Sequence, residues 1–363
     1  MDYYIMSGDN IVAKWVNEEL EIINEKLCPL YLLNRRDFRS WVTNRGLCLN
    51  RINARILKET LHLKYINQMG VALRVNAAKI TDNYWVKPLD SDLCYKDTRF
   101  KDDKFSDLAF KGEFGKLDPN GDYSKARTPE LTNTGFNEKC WKRIKGEWWL
   151  QKRVSDNERF SEIFASELGK IMGIPTAECI KGKECVKSKD FTKNASVNYE
   201  PAGSIIDEDM DYIDVIKRLN KIASHLVPDY VRMLVFDALI DNRHRNTSSF
   251  GILRDTNDGH IISLAPLFNH NETLIAAGYP ERVDRSGDRL VKKVNALFRY
   301  DRSLRKYIPE LLEEDLFEVF NRVGIRVRKK LVLPYVLNAY IRIVTGKDMG
   351  FFCSLYGELD RSI

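Results

Sequence analysis

The sequence predicts an α+β fold with two lobes. A chain of 363 residues is long enough to build two lobes, each with its own core. Short apolar segments bounded by Gly and Pro, which are typical of strands, occur mainly in the first 200 residues. Apolar residues at helical spacing dominate the later part. The segment 231–274 combines both patterns, because a buried helix there is followed by a hairpin.

Residues 1–78 are predicted to form a small N-terminal extension. Ile5 to Val12 fits a hairpin, and short amphipathic helices follow from Asp37 onward. The extension is locally basic through Arg35, Arg36, Arg39, Arg45, Arg51 and Arg55. A solvated helical face is the interpretation that we favour, and a nucleic-acid or acidic-partner surface is the alternative.

The segment 79–200 predicts several strands and one long helix. Tyr84–Pro88 fits a strand, and a Gly135 turn between two strands precedes a third strand that presents Lys152. Ser155 and Glu158 have the spacing of a capping box, which predicts the start of a helix. Residues 178–187 fit another pair of strands, whereas residues 199–204 look irregular. Residues 212–225 then fit an amphipathic helix.

The segment 231–274 brings polar side chains to one place. Apolar residues on nearly every side predict a buried helix that ends near Ile240, and a dense polar block follows from Asp241 to Ser248. Residues 250–254 and 260–264 fit two strands joined by an Asp-Gly turn. Pro266 ends the second strand and leads to Phe268 and Asn269. Beyond this segment, residues 294–300, 311–323 and 332–344 predict three further helices.

This order of segments resembles the HipA-like serine/threonine kinases, a bacterial branch of the protein-kinase fold. Members of that family have a buried helix ending in Leu-Ile, a loop with a catalytic Asp, and a metal-binding Asn five residues later. A Phe and a strand follow, and then a Pro-aromatic-Asp turn whose Asp holds magnesium. The resemblance covers roughly residues 80 to 345 and implies a two-lobe, protein-kinase-like (HipA-like) fold.

The chemical positions of this chain depart from the family pattern. An ungapped count from Ile240 forward and from Phe250 back places His244 at the catalytic Asp and Ser249 at the metal-binding Asn. Asn269 takes the place of the second metal-binding Asp. A rival register slides the loop by three residues, so that Asp241 becomes the catalytic residue and Asn246 the metal ligand. We favour the ungapped register, and Asn269 is the same in both.

The resemblance also implies a nucleotide site. A glycine loop would cover the phosphates, a strand Lys would reach them, and a helix Glu would hold that Lys. Residues 187–191 would form the hinge between the lobes, and adenine would meet backbone groups near residues 185–188. The residues implied for nucleotide binding are Thr134, Gly135, Phe136, Lys152, Glu162, Cys185 and Lys187.

Phosphoryl transfer requires a carboxylate that accepts the hydroxyl proton and anionic oxygen ligands for magnesium. Neutral Asn or Ser binds Mg²⁺ weakly. The sequence therefore favours a degenerate kinase with a residual nucleotide cleft and a regulatory or partner-binding role. The alternatives are an active ATP- and Mg²⁺-dependent serine/threonine kinase of a toxin–antitoxin type that uses Asp241 and Asn246, and a nucleic-acid-binding regulator that uses the Arg-rich extension.

From the composition and the cysteine pattern, we expect the protein to lie in the cytoplasm. The net charge of +6 is mild for this length, so composition alone does not indicate nucleic-acid binding. Seven Cys without a Cys-x-x-Cys pair predict reduced thiols, and no apolar run is long enough to span a membrane. We expect domains at 1–78, 79–200 and 201–363. The expected partner is a protein, in the family's manner a separate antitoxin, with no direct nucleic-acid binding.

Overall fold

The computed structural model describes residues 2–101 and 104–346. Its contacts divide the chain into two units. The first unit comprises Met1–Val154, Ala177–Glu208 and Phe250–Ala265, and the second comprises Ser155–Thr176, Asp209–Ser249 and Pro266–Ile363. The predicted domains 1–78, 79–200 and 201–363 stay predictions.

The described strands all belong to the first unit. They are β1 (Tyr3–Ser7), β2 (Asn10–Val16), β3 (Glu19–Ile22), β4 (Tyr84–Pro88), β5 (Lys139–Ile144), β6 (Glu147–Arg153), β7 (Cys179–Gly182), β8 (Cys185–Lys189), β9 (Val197–Pro201), β10 (Gly251–Asp255) and β11 (Ile261–Leu264). The strands form three antiparallel sheets with the orders β3-β2-β1-β4, β5-β6-β8-β7 and β11-β10-β9.

Among the described residues, the first unit also contains six short α-helices, and the second unit contains six others. The helices are α1 (Leu30–Arg35), α2 (Phe38–Thr43), α3 (Ala54–Thr60), α4 (Gln68–Leu73), α5 (Tyr95–Thr98), α6 (Ser106–Lys111), α7 (Asp156–Ile171), α8 (Tyr212–Ala223), α9 (Val227–Leu239), α10 (Arg289–Tyr300), α11 (Glu313–Val323) and α12 (Lys329–Thr345). Among the described residues, no helix combines the length and apolar character that crossing a membrane requires.

The N-terminal sheet is covered on both faces. Alternate residues of a strand point to opposite faces, so Ile5 joins one apolar cluster while its neighbour Met6 joins another. Trp85 belongs to the second cluster and is fully buried. The predicted hairpin at residues 5–12 is confirmed as β1 and β2, and the predicted strand at 84–88 is β4, which pairs with β1.

Most of the N-terminal arginines have local partners. Arg45 forms a buried ion pair with Asp82 at 2.6 Å. Arg51 is also buried and donates hydrogen bonds to backbone carbonyls. Exposed or half-buried ion pairs join Arg35 to Asp207, Arg39 to Glu18 and Arg55 to Glu59. The basic stretch seen in the sequence is therefore largely neutralised in the fold.

Two local predictions in the first unit are wrong. Among the described residues, no strand leads directly into Gly135, because Thr128 caps a 3-10 helix over Pro129–Thr132 whose proline fixes the backbone of the first turn. The predicted irregular segment at 199–204 begins instead as strand β9, which pairs with β10 over its whole length. The strand pair predicted at 178–187 is confirmed as β7 and β8.

The second unit is helical, and its predicted helices are confirmed. Ser155 and Glu158 form the predicted capping box at the start of α7. Phe160 and Phe164 of that helix stack against Phe320 of α11. The helices α10 and α12 begin several residues earlier than predicted. Lys292 and Lys293 interrupt the apolar pattern near the start of α10, and α12 begins with Lys329 and Lys330.

Candidate functional site

The loop after α9 leaves its helix at a fixed point. Asp241 has a left-handed backbone, with φ of 54°, and this ends the helix. The buried Arg285 guanidinium donates hydrogen bonds to the carbonyls of Ala238 at 2.6 Å and Leu239 at 3.2 Å. These carbonyls would otherwise lack partners at the end of a helix. The start of the loop is therefore held by the helix cap.

The Asp241 carboxylate is engaged on both oxygens. Arg243 donates one hydrogen bond to each oxygen, at 2.8 and 2.9 Å. The Tyr335 hydroxyl of α12 donates a third at 2.6 Å, and Arg285 lies 4.0 Å away. Burial raises the pKa of Tyr335 well above its usual value, and its hydrogen bond to Asp241 acts in the same direction. Asp241 therefore ties the loop to α12.

Arg245 connects three parts of the second unit. Its guanidinium donates two hydrogen bonds of 2.8 Å to the Asp237 carboxylate of α9, and both side chains are buried. It also donates to the carbonyls of Ser249 at 2.7 Å and Phe268 at 3.1 Å, and it lies 3.0 Å from Nε2 of His270. Arg245 was not predicted from the sequence. Asp237, a charged residue inside an otherwise apolar helix, was the feature of the sequence that could have indicated a buried cationic partner.

Asn246 and Ser249 shape the same turn. The buried Ser249 hydroxyl accepts the Asn246 N–H at 2.9 Å, and it lies within donating distance of the carbonyls of Asn246, at 2.9 Å, and His244, at 3.3 Å. The exposed Asn246 side chain accepts from the backbone N–H of Ser248 at 3.1 Å and from its hydroxyl at 2.7 Å. Both residues therefore act within the loop.

His244 lies on the outside of this loop. Its Nδ1 is 3.7 Å from a carboxylate oxygen of Glu272, and both side chains are more than half exposed. Glu272 comes three residues after Asn269, so the structure brings His244 to the loop that contains Asn269. The distance is longer than a hydrogen bond, and the two groups form an ion pair only when the imidazole is protonated.

The loop that contains Asn269 is anchored at several points. Asn269 itself is exposed and has a left-handed backbone, with φ of 65°. Further along, the Ser161 hydroxyl of α7 donates to the Thr273 carbonyl at 2.6 Å, and the Leu274 N–H donates to the Ile240 carbonyl at 3.0 Å. The loop is thereby fixed to α7 and to the end of α9.

In the first unit, β6 and β8 bring three of the predicted nucleotide residues together. Lys152 is buried on β6 and lies opposite Val186 of β8, between Cys185 and Lys187. The predicted hinge at residues 187–191 therefore begins inside β8. The neighbouring strand β5 places Lys139 opposite Lys152.

The predicted phosphate loop lies before β5. Thr134, Gly135 and Phe136 are exposed, and Gly135 has a φ of 83°, which glycine adopts without strain. The Lys139 ammonium donates to the Thr134 carbonyl at 2.7 Å. The loop is thus held against the first residue of β5.

Glu162 is 2 % exposed on α7, within the second unit. The pairing predicted between Glu162 and Lys152 joins residues of different units and stays a prediction.

No protein-family model and no curated protein matches this chain. Solved structures do match it, and one of them is HipA of Shewanella oneidensis MR-1, in a toxin–antitoxin complex with HipB and operator DNA. The similarity to that chain has a TM-score of 0.53 and 11% identity, and it covers 96% of this chain and 100% of the other. The chain has a HipA-like kinase fold.

A second solved structure is similar to part of the chain. The proinflammatory kinase CtkA of Helicobacter pylori matches with 17% identity and a TM-score of 0.38, covering 57% of this chain and 94% of CtkA. The predicted fold class is confirmed by the similarity to HipA. In the HipA-like kinase fold of this chain, the catalytic, metal-binding and nucleotide-binding roles predicted for individual residues stay predictions.

Proposed function

We propose that this chain is a HipA-like pseudokinase that keeps a nucleotide site and acts by binding another protein. In this proposal His244, Ser249 and Asn269 stand where an active member has its catalytic Asp, its metal-binding Asn and its metal-binding Asp. The chain then lacks the carboxylates that phosphoryl transfer uses.

The setting of Asp241 carries the proposal. A general base must have a lone pair within hydrogen-bond reach of the hydroxyl that it deprotonates. Both oxygens of Asp241 already accept hydrogen bonds, from Arg243 and from Tyr335. If the Asp241 carboxylate turned toward a substrate hydroxyl, it would lose its contact with α12 and would move away from the nearby Arg285 guanidinium. This setting suits a structural residue better than a catalytic base.

The metal ligands of the rival register are also poorly suited to magnesium. The side-chain oxygen of Asn246 already accepts hydrogen bonds from the backbone N–H and the hydroxyl of Ser248. Asn269 is neutral, whereas Mg²⁺ prefers charged oxygens and gives up its water reluctantly. We therefore infer that any nucleotide bound by this chain binds without a tightly held metal.

The residual nucleotide site in this proposal rests mainly on the first unit. Lys152 would contact phosphate, the exposed backbone of Thr134–Phe136 would lie over the phosphates, and the segment from Cys185 to Lys187 would meet the base. These groups are supported by adjacent strands, which is the kind of rigid support a binding site needs. Glu162 would hold the Lys152 ammonium.

The protein partner is inferred from the fold alone. HipA of Shewanella oneidensis is described in complex with HipB and operator DNA. We propose that this chain likewise binds a separate protein of the antitoxin kind, in the cytoplasm of a bacterium, and that binding takes the place of catalysis in its function.

Calorimetry with ATP, with and without Mg²⁺, tests the proposal. We expect the parent chain to bind ATP with an affinity that Mg²⁺ changes little, and to transfer no labelled phosphate to itself or to a general protein substrate. The triple variant His244→Asp, Ser249→Asn, Asn269→Asp should bind ATP at least about tenfold more tightly with Mg²⁺ than without it, because Asn269→Asp restores an anionic metal ligand and Ser249→Asn restores an amide ligand.

The variant Asp241→Asn distinguishes the two registers. If the parent chain transfers phosphate and the Asp241→Asn variant does not, the protein is an active kinase and the pseudokinase proposal is rejected. Absence of ATP binding in both the parent and the triple variant would reject the nucleotide site.

A further inference from the structure

A strongly basic surface lies on α10 and on the 3-10 helix Arg302–Tyr307 that follows it. Val291, Val294, Leu297 and Phe298 form the buried side of α10. Its exposed cations Arg289, Lys292, Lys293 and Arg299 are three, four and seven residues apart, spacings that place them together on the opposite side. We define the α10 basic face by the exposed residues Arg289, Lys292, Lys293, Arg299, Arg302 and Lys306.

This segment accounts for the net charge of the chain. Residues 285–307 contain eight Lys or Arg and two Asp, a net charge of +6, which equals the net charge of all 363 residues. The rest of the chain is therefore neutral overall. A charge of one sign concentrated on one surface raises the local potential and attracts polyanions, whereas the same charge spread evenly would not.

Neither acidic residue of the segment neutralises the α10 basic face. Asp288 accepts the Val291 N–H at the start of α10 and pairs with the buried Arg285. Asp301 accepts the backbone N–H and hydroxyl of Ser303. Within the residues that the structure describes, none of the six cations of the face forms an ion pair. The N-terminal arginines differ, because most of them have carboxylate or carbonyl partners.

Aromatic rings accompany the cations. The Lys293 ammonium lies 5.4 Å from the ring of Tyr212 on α8, and the Lys306 ammonium lies 5.0 Å from the ring of Tyr307. Tyr300, at the end of α10, is 63% exposed. Tyr212 and Tyr307 are half-buried, so Tyr300 is the exposed ring among them. Cations beside an exposed aromatic ring are typical of surfaces that bind phosphate backbones and stack on bases.

We propose that the α10 basic face binds the phosphate backbone of nucleic acid. Protein interfaces are depleted of Lys in their centres, whereas this face contains three Lys and no acidic residue of its own. The twelve residues of α10 span about 18 Å, a length along which a nucleic acid presents several phosphates. Direct nucleic-acid binding was not expected from the sequence. The composition of a chain does not show which cations share a face, and that grouping is visible only in the folded structure.

Fluorescence anisotropy with labelled 20-nucleotide single strands and the matching duplexes, over a series of salt concentrations, tests this proposal. Engagement of five of the six cations gives a log–log salt slope of about −4.5 on duplex DNA and about −3.5 on single strands. We expect the variant Lys292→Glu, Lys293→Glu, Arg299→Glu to bind at least about tenfold more weakly at low salt, because three attractions become repulsions.

A charge-matched control distinguishes an effect of the α10 basic face on binding from an effect of the overall net charge. The variant Lys111→Glu, Lys116→Glu, Lys125→Glu changes the net charge equally at exposed positions in the first unit. It should bind nucleic acid about as well as the parent after correction for net charge. An equal loss in both variants would overturn the proposal.

The remaining outcomes are also decisive. Circular dichroism and thermal unfolding establish that both variants are folded, and the neutral variant Lys292→Gln, Lys293→Gln, Arg299→Gln replaces the first if reversal unfolds it. No binding by the folded parent overturns the proposal. Competition by polyglutamate as effective as by an oligonucleotide of equal charge also overturns it, because the face would then fit an acidic protein. Each readout is independent of ATP, so the pseudokinase proposal is tested separately.

Discussion

The Arg245 guanidinium and the Asp237 carboxylate form a buried pair joined by two hydrogen bonds of 2.8 Å. Both side chains belong to the second unit and are at most 8% exposed. Arg is suited to this geometry because its planar group matches both oxygens of a carboxylate. Through its contacts with the Ser249 and Phe268 carbonyls, the same guanidinium orders both loops of the candidate site.

We predict that Arg245→Met destabilises the fold by about 3 to 5 kcal/mol, because it leaves the Asp237 carboxylate buried with Asn242 as its one remaining donor among the described residues. Urea unfolding measures the change in the free energy of unfolding. Arg243→Met is the matched control, because Arg243 is largely exposed and should cost less than about 1 kcal/mol. Equal effects of the two substitutions would contradict the prediction.

We predict that Asp241 and Tyr335 are energetically coupled. Tyr335→Phe should cost about 1.5 to 3 kcal/mol, since it removes one hydrogen bond to a charged group without leaving a cavity. Asp241→Asn should cost a similar amount, and the double variant should cost less than the sum. A double-mutant cycle by urea unfolding measures this coupling, and strict additivity would show that the two groups do not interact in solution.

We predict a large difference between two glycine-to-alanine substitutions. A Cβ on Gly259 would lie 1.7 Å from the Lys26 carbonyl oxygen, whereas a Cβ on Gly146 would meet nothing within 4 Å. Both glycines have a positive φ, so both substitutions carry the backbone strain of about 1 kcal/mol. Only Gly259→Ala adds a backbone clash, and it should lower the melting temperature far more. Similar melting temperatures would show that the segment near Lys26 moves aside easily.

We predict that the half-buried Lys79 makes stability depend on pH in the alkaline range. Burial, aided by the nearby Arg45 cation, lowers the pKa of Lys79 to about 8. The unfolded chain holds this proton up to about pH 10.4. Between these values the unfolded state binds more protons, so the contribution of Lys79 makes the free energy of unfolding rise with pH.

The measurement for Lys79 is a comparison of variants. Urea unfolding at several pH values between 7 and 10 should show that Lys79→Met removes this rise, whereas Lys125→Met, at an exposed position, leaves it. Other groups titrate in the same range, so the prediction concerns the difference between each variant and the parent. The same pH dependence in the parent and Lys79→Met would contradict the assignment.

Elements with short-range causes were predictable from the sequence. The capping box of Ser155 and Glu158 spans three residues, and the hairpin of β10 and β11 is signalled by its Asp-Gly turn. The apolar character of α9 follows from its own residues. The wrong prediction at β9 has a tertiary cause, because Glu200 lies opposite Ile252 of β10 and its side chain forms a buried ion pair with Arg254.

The sequence by itself determined the fold class, most of the element order, and the presence of His244, Ser249 and Asn269 where an ungapped count expects catalytic groups. Only the tertiary structure decided which charges meet. Arg245 and Asp237 are eight residues apart, Asp241 and Tyr335 are 94 apart, and Arg254 and Glu200 are 54 apart. The physical reason is that secondary structure depends on neighbours within a few residues, whereas burial forces distant polar groups to find partners, and the packing of the elements selects those partners.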